Sequence, residues 1–229
     1  MEQNHSQHLQ WLLSQVEANQ TSDEVRMIRI LTVGDGDLSF SASLASQLPC
    51  TVNLTASTLP TREEVCRTHS RANQSLNVLE CCVRGAVVNV RHGVDATDLA
   101  QSGLPIGVKY DVIIFNFPFT RNTTKNHSRF FFYAHRHKDL IRKFLGSSST
   151  FVSSAGVIAV SVLTKQMFQW DLAALAEQSE IASGINGDLH PGAFHIEDAF
   201  PFVHSLNYPG YRPQRTYDLD IRHAKKGVG

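Results

Sequence analysis

The chain has 229 residues, 42% of them hydrophobic, and its 21 Lys and Arg balance its 21 Asp and Glu to a net charge of zero. That length suits one α/β domain with a large buried core and is short for two domains with a linker, while the even balance gives no general reason to expect a polyanionic partner. The cysteines, Cys50, Cys66, Cys81 and Cys82, lack CxxC spacing, so they read as reduced thiols of an intracellular protein and argue against a zinc site.

Residues 1–26 read as an accessory segment, with a short helix over residues 5–18 carrying Leu9, Leu12, Leu13 and Val16 at helical spacing. Its polar start has no basic n-region, no long apolar run and no arginine before residue 26, which argues against a signal or transit peptide and for a soluble chain. Met27–Val33 is a continuous apolar run, as expected of a strand covered on both faces. GDGD ends it abruptly, and LSFSASLASQL reads as a helix. The order strand, glycine turn, helix opens a nucleotide-binding βαβ unit. A second strand is predicted over Val52–Ser57, then a helical stretch from about Pro60 through Val83 with a break near Ser70, then a third strand over Val87–His92. Tyr110–Asn116 (YDVIIFN) is the strongest strand, β-branched and stopped by Pro118. A helix over Lys138–Ser153, a strand over Gly156–Leu163, a helix over Gln169–Glu180 and a final β-rich region follow. Strands alternating with helices predict a mostly parallel sheet with helices on both faces, in one domain over residues 27–222, followed by a basic tail at 223–229.

Ligands of an open parallel sheet bind outside the carboxyl ends of its strands, and four notable segments fall there. Gly34-Asp35-Gly36-Asp37 lets the backbone pass close to a ligand, and its carboxylates suit ammonium or hydroxyl groups; a plain tight turn would also account for it. A dinucleotide fingerprint would want a third glycine and an acid after strand two, where Ser57-Thr58-Leu59 stands instead. His92-Gly93-Val94-Asp95-Ala96-Thr97 offers an Asp and a small residue suited to an adenine pocket, or an Asp that caps the next short helix. In Asn116-Phe117-Pro118-Phe119 a rigid turn can hold an amide and a carbonyl beside a planar heterocycle while a ring stacks on it. The bland counterpart is a strand-ending turn with two buried rings.

Basic residues cluster twice. From Arg121 to Lys143 seven Lys or Arg stand against the single acid Asp139, which fits either a solvated face or an RNA-facing patch. Near the C-terminus, Tyr208-Pro209-Gly210-Tyr211-Arg212-Pro213-Gln214-Arg215-Thr216 carries two aromatics and two guanidinium groups on a chain stiffened by prolines. It suits an RNA clamp, with the tyrosines stacking on a base and the arginines holding phosphate, and equally a closing turn with buried tyrosines. No metal is required by any of these motifs.

Together these segments resemble the Rossmann-like methyltransferases similar to the ribosomal-RNA uridine-N3 methyltransferase of yeast, a family that shares its domain with a ferredoxin-fold anticodon-binding-domain protein of animals. The resemblance runs from about Arg29 to Thr216 and is carried by ILTVGDGDLSFSASLA, ASTLPTREEV, HGVDATDL, YDVIIFNFPF, FQWDLAALAEQS and YPGYRPQRT. It implies a class I methyltransferase fold with S-adenosylmethionine held by Gly34, Asp35, Gly36, Asp37, Leu38, Ser39 and Phe40. Ser57 would then lie near the ribose and Asp95 and Ala96 near the adenine. Asn116, Phe117, Pro118 and Phe119 would face the target base, with Lys165, Tyr208, Tyr211, Arg212 and Arg215 on RNA. It also implies ribosomal RNA or a pre-ribosome as partner and action in the nucleus or nucleolus. The family commonly shows NFPH followed by glycines, whereas this chain has Phe119 and then TRNTTKNHSR. Methylating uridine N3 displaces an imide proton, for which Asp35, Asp37 or the Phe117 carbonyl are the candidate acceptors.

Overall fold

Five strands run parallel in the order β3-β2-β1-β4-β5: β1 (Ile28–Val33), β2 (Val52–Thr58), β3 (Val87–His92), β4 (Tyr110–Asn116) and β5 (Val152–Ser161). The structure is a computed structural model, and it describes residues 27–82, 86–120 and 129–177 together with Gln10, Ser14, Ile181, Ala182, Leu189, His190, Tyr208 and Tyr211. The expected helix over residues 5–18 lies outside the described residues apart from Gln10 and Ser14, and the basic tail lies outside them altogether.

Successive side chains of a strand point to opposite faces, so a strand covered on both sides needs apolar groups at nearly every position. Ile28 and Ile30 of β1 join Val112 and Ile114 of β4 in one core, while Leu31 and Val33 join Ile113 and Phe115 in the other. The helices divide between these cores. Phe40 and Leu44 of α1 (Ser39–Ala45) and Leu76 of α3 (Ala72–Asn77) cover the first face. Ile141 and Phe144 of α4 (Arg129–Ser149), Trp170 of α5 (Thr164–Trp170) and Leu175 of α6 (Leu172–Glu177) cover the second. This is the α/β Rossmann-like arrangement that the alternation of elements predicts. A short antiparallel ladder pairs Ile181–Ala182 with Leu189–His190.

Element boundaries depart from expectation where local chemistry intervenes. Thr61 opens α2 (Arg62–Thr68) with a capping box to Glu64, and α3 begins only at Ala72 before a π turn at Val78–Cys82, which puts the expected break beside Ser70. The helix expected to reach Ser153 stops at Ser149, since Gly146-Ser147-Ser148-Ser149-Thr150 favours turns and Phe151 N–H donates to Ser148 O at 2.9 Å. Strand β5 therefore starts at Val152, and its pairing with β4 shifts register between Tyr110 and Val112. Gly156 lies inside the strand, where a Cβ would come within 2.7 Å of Val152 Cγ2 and 2.8 Å of Ser153 Oγ. The helix expected over Gln169–Glu180 is two helices parted by Asp171, at φ 50°.

Asp111, only 2% exposed, ties three strands together at the end of the sheet away from the ligand crevice. Its Oδ2 accepts from Arg29 N–H at 2.9 Å and its Oδ1 from Ser153 Oγ at 3.0 Å. Asp111→Ala removes both acceptors and strands their donors, a loss of about 1–3 kcal/mol, with roughly 2–4 °C of melting temperature for each kcal/mol. Thermal denaturation followed by circular dichroism checks this; an unchanged midpoint would show the bonds to be dispensable.

Candidate active site at the switch point of the sheet

From β1 the chain builds outward through β2 and β3 on one side and returns to place β4 and β5 on the other. The carboxyl ends of β1 and β4 are thus neighbours with diverging connections, the place where such sheets open a crevice. Each strand ends in a strained turn. Of the three non-glycine residues with left-handed backbone among the described residues, Leu38 (φ 60°) follows β1 and Phe117 (φ 50°) follows β4. Such conformations cost about 1–3 kcal/mol each and are held by their surroundings.

At the β1 turn, Gly34 has φ +65°, and a Cβ there would lie 2.6 Å from Cε2 of Phe115, so glycine is demanded by both backbone and neighbour. Gly36 is half-buried and not left-handed, which leaves close ligand approach as the reason for a glycine there. Asp35 N–H donates to Ser57 O at 3.2 Å and Leu38 N–H to Asp35 O at 3.1 Å. The half-buried Asp35 carboxylate accepts at Oδ2 from Ser41 N–H (2.7 Å) and Ser41 Oγ (2.6 Å). Because Ser41 spends its proton on Asp35, Thr32 Oγ1, 2.7 Å away, must donate to Ser41. Burial pushes the Asp35 carboxyl up to about 6, outweighing the Ser41 bonds that pull it down, and the neighbouring Asp37 adds to the rise. Asp37 is itself buried, and its Oδ1 accepts from Ser39 N–H at 3.0 Å. Ser39 Oγ is buried without a hydrogen-bond partner.

At the β4 turn, Phe117 N–H donates to Ser161 O at 2.8 Å, and Ser161 Oγ donates to Asn116 Oδ1 at 2.6 Å. Asn116 Nδ2 is buried with no partner. Pro118 is buried, whereas Phe119 is 51% exposed at the rim. Its ring centroid lies 5.6 Å from that of the buried His137, which in turn stacks on Trp170 at 4.7 Å and 11°. Thr120 N–H donates to His137 Nε2 at 3.4 Å, fastening the loop behind the turn.

The structure therefore brings together Gly34 through Phe40 and Asn116 through Phe119. Ser57 meets the β1 turn through its carbonyl, while its buried hydroxyl donates to Thr32 O at 2.7 Å and is engaged within the sheet. Exposed Asp95, past the end of β3, accepts at Oδ1 from Thr97 N–H (2.8 Å) and Thr97 Oγ1 (2.7 Å), shaping a turn; Asp98 caps the short 3-10 helix that follows. Ala96 is buried in the second core. Lys165 is the second residue of α5; Arg212 and Arg215 lie outside the described residues.

The tyrosines of the proposed clamp require correction. Tyr208 is fully buried and Tyr211 is 7% exposed. Both rings pack edge-on against Phe40, at 4.7 and 5.3 Å, and Tyr211 N–H closes the turn onto Tyr208 O at 3.0 Å. Burial, with Asp35 and Asp37 nearby, pushes the Tyr211 phenol well above its ordinary value. These rings complete the core over α1 and do not face a base. Sequence reasoning missed Ser161, His137 and Trp170. Ser161 pairs in register with Asn116 across β4 and β5, so an accurate β5 end would have pointed to it.

Gly34→Ala should destabilise the protein by about 2–4 kcal/mol, from left-handed strain together with the clash against Phe115. Urea unfolding measures it. A loss below 1 kcal/mol would mean that the ring yields freely.

Comparison with known proteins follows the same boundaries. Heavy metal-associated isoprenylated plant protein 41 of Arabidopsis thaliana is 30% identical over 215 residues, covering 89% of this chain and 37% of the relative. The ferredoxin-fold anticodon-binding domain-containing protein 1 of Homo sapiens is 26% identical over 218 residues, covering 81% of this chain and 32% of the relative. The chain thus spans only about a third of the length of either. Among solved structures, TrmN from Thermus thermophilus overlaps with a TM-score of 0.41 at 17% identity, covering 70% of this chain and 39% of that one. Among the described residues no helix is long and apolar enough to cross a membrane. The profile of the BMT5-like family, rRNA (uridine-N3-)-methyltransferase BTM5-like, matches residues 31–215, from the middle of β1 to beyond the buried Tyr208–Tyr211 turn, and the chain belongs to that family.

Proposed function

We propose that the chain methylates N3 of a uridine in large-subunit ribosomal RNA with S-adenosylmethionine, acting on ribosomal RNA or a pre-ribosome in the nucleus or nucleolus. The observation that carries this reading is the pair of strained turns on the adjacent strands β1 and β4, in a chain whose family is described by that reaction. The β1 turn suits the cofactor. Gly36 keeps its backbone bare where a ligand would approach, Ser39 Oγ is a buried hydroxyl with no partner, and Asp35 offers a carboxylate to ammonium or hydroxyl groups.

When bound, S-adenosylmethionine supplies a methyl group on a sulfonium, a leaving group good enough that the protein has chiefly to align the nucleophile and exclude water. Asn116 is assigned to orienting the base and Phe119, half exposed at the rim, to stacking on it. Lys165, Arg212 and Arg215 are assigned to phosphates. As N3 bonds to the methyl carbon, the carbon–sulfur pair goes to sulfur and the imide proton to a base. Asp35, raised to about 6, suits that task near neutral pH.

Transcribed, unmodified large-subunit ribosomal RNA incubated with the protein and S-adenosylmethionine should yield N3-methyluridine by nucleoside mass spectrometry. Asn116→Ala should lower the rate of transfer at least 100-fold with little change in cofactor affinity by calorimetry. Absence of N3-methyluridine sinks the reading, and a loss confined to cofactor binding removes Asn116 from the base.

Asp35 adds a pH signature. A base works ionised, so kcat/KM, which reports the free enzyme, should rise as pH rises through about 6, and Asp35→Asn should abolish that rise. A profile flat between pH 5 and 7 in the unaltered protein would exclude Asp35 as the acceptor.

A further inference from the structure

The Asn116 amide is not free to choose its polarity. Ser161 Oγ donates to Oδ1 at 2.6 Å, which occupies the carbonyl and turns the NH2 group the other way. That Nδ2 is buried and unpartnered, one residue before the left-handed Phe117. A buried donor left without an acceptor costs about 1–3 kcal/mol, and a strained backbone beside it adds a cost of similar size. Two such costs on consecutive residues, at the carboxyl end of the central strand, mark a turn shaped for an absent hydrogen-bond acceptor.

The polarity selects among bases. Methyl transfer to an exocyclic amino group needs acceptors around the nitrogen, to hold its other hydrogens. An amide whose carbonyl is already taken by Ser161 cannot serve that purpose. Transfer to an imide nitrogen needs the opposite: N3 of uridine is flanked by two carbonyl oxygens, each an acceptor for an N–H. We infer that Asn116 acts as a hydrogen-bond donor to a carbonyl oxygen adjacent to the target nitrogen, with Ser161 as the positioning residue that fixes this polarity. The chemical class recognised at this turn is therefore a pyrimidine imide, not an aminated base. The inference rests on the base-modifying reading of the β4 turn proposed above, and it adds a residue on β5 and a direction of hydrogen bonding to it. It also requires the Asn116–Phe119 turn to open on base entry, since Nδ2 is enclosed.

The test uses oligouridine and its fully 2-thio and 4-thio counterparts, because sulfur is a poor acceptor that keeps the base nearly the same shape. Binding is measured by fluorescence anisotropy to the whole chain with S-adenosylhomocysteine present. One of the two thio oligomers should bind at least 5-fold more weakly than oligouridine. In Asn116→Asp, which keeps an oxygen for Ser161 but has no N–H, that difference should disappear. Ser161→Ala should reduce the difference without lowering the melting temperature by more than a few degrees, and Ser161→Thr, which restores the hydroxyl, should recover it. A merely structural serine would leave the thio preference intact. Equal binding of all three oligomers by the unaltered chain, no measurable binding of any, or a preference that survives in Asn116→Asp overturns the inference. Should the thio preference hold while N3-methyluridine never forms, the donor role stands and the proposed reaction fails. Methylation at N3 with no thio preference overturns the donor role and leaves the proposed reaction standing.

Discussion

The Phe115 ring occupies the place where any side chain at position 34 would have to stand. Val33 and Phe115 are paired in register on β1 and β4, so this contact sits at the seam of the two strands whose connections diverge. The bare backbone at Gly34 lets the chain turn sharply over the ring, and α1 can then begin only five residues after the glycine. Everything that surrounds the crevice depends on that reversal. It delivers Asp35 to Ser41, buries Leu38 and Phe40 in the first core, and leaves the carboxyl end of β4 open for the Asn116 turn.

The two turns are held by different means. At β1 a relay of hydroxyls runs from Thr32 through Ser41 to Asp35 and locks the strand, the helix and the carboxylate into one unit. Its cost is a desolvated acid whose ionisation is displaced toward neutrality. At β4 the neighbouring strand does the holding. Ser161 uses its carbonyl on Phe117 and its hydroxyl on Asn116, so the last residue of β5 sets both the backbone and the side chain of the turn. Beyond it, α4 and α5 hold the His137–Trp170 stack behind the Phe119 rim. The second core thus reaches the mouth of the crevice without a break, and a rim ring backed by a buried stack loses less freedom on meeting a base than one on an isolated loop.

The Tyr208–Tyr211 turn shows how one motif can satisfy sequence logic and serve another end. Two tyrosines and two prolines beside arginines suit a nucleic-acid clamp, yet the rings close on Phe40 over the β1 turn. Apolar area decides the matter: an aromatic buries a large surface when it covers a core, and the exposed face of α1 has no other cover among the described residues. The segment's proximity to Asp35 and Asp37 makes it part of the environment that shapes the carboxylates.

The strand order of types, the GDGD turn and the NFPF turn were all legible in the chain, because hydrophobic period and glycine or proline punctuation are local properties. The family resemblance was legible for the same reason, as six ordered stretches, and the family profile covers nearly the same span. Boundaries were less so: β5 begins at Val152 because a serine-rich turn ends α4 early, and a register shift against β4 makes room for it. What only the folded chain decided are the long-range pairings. Ser161 meets Asn116 across 45 positions, Asp111 meets Arg29 across 82, and the polarity of the Asn116 amide exists only through the first of these. A side-chain amide carries a donor and an acceptor with equal ease in the unfolded chain. Which of them faces the crevice is determined by the partner that the sheet's register sets beside it.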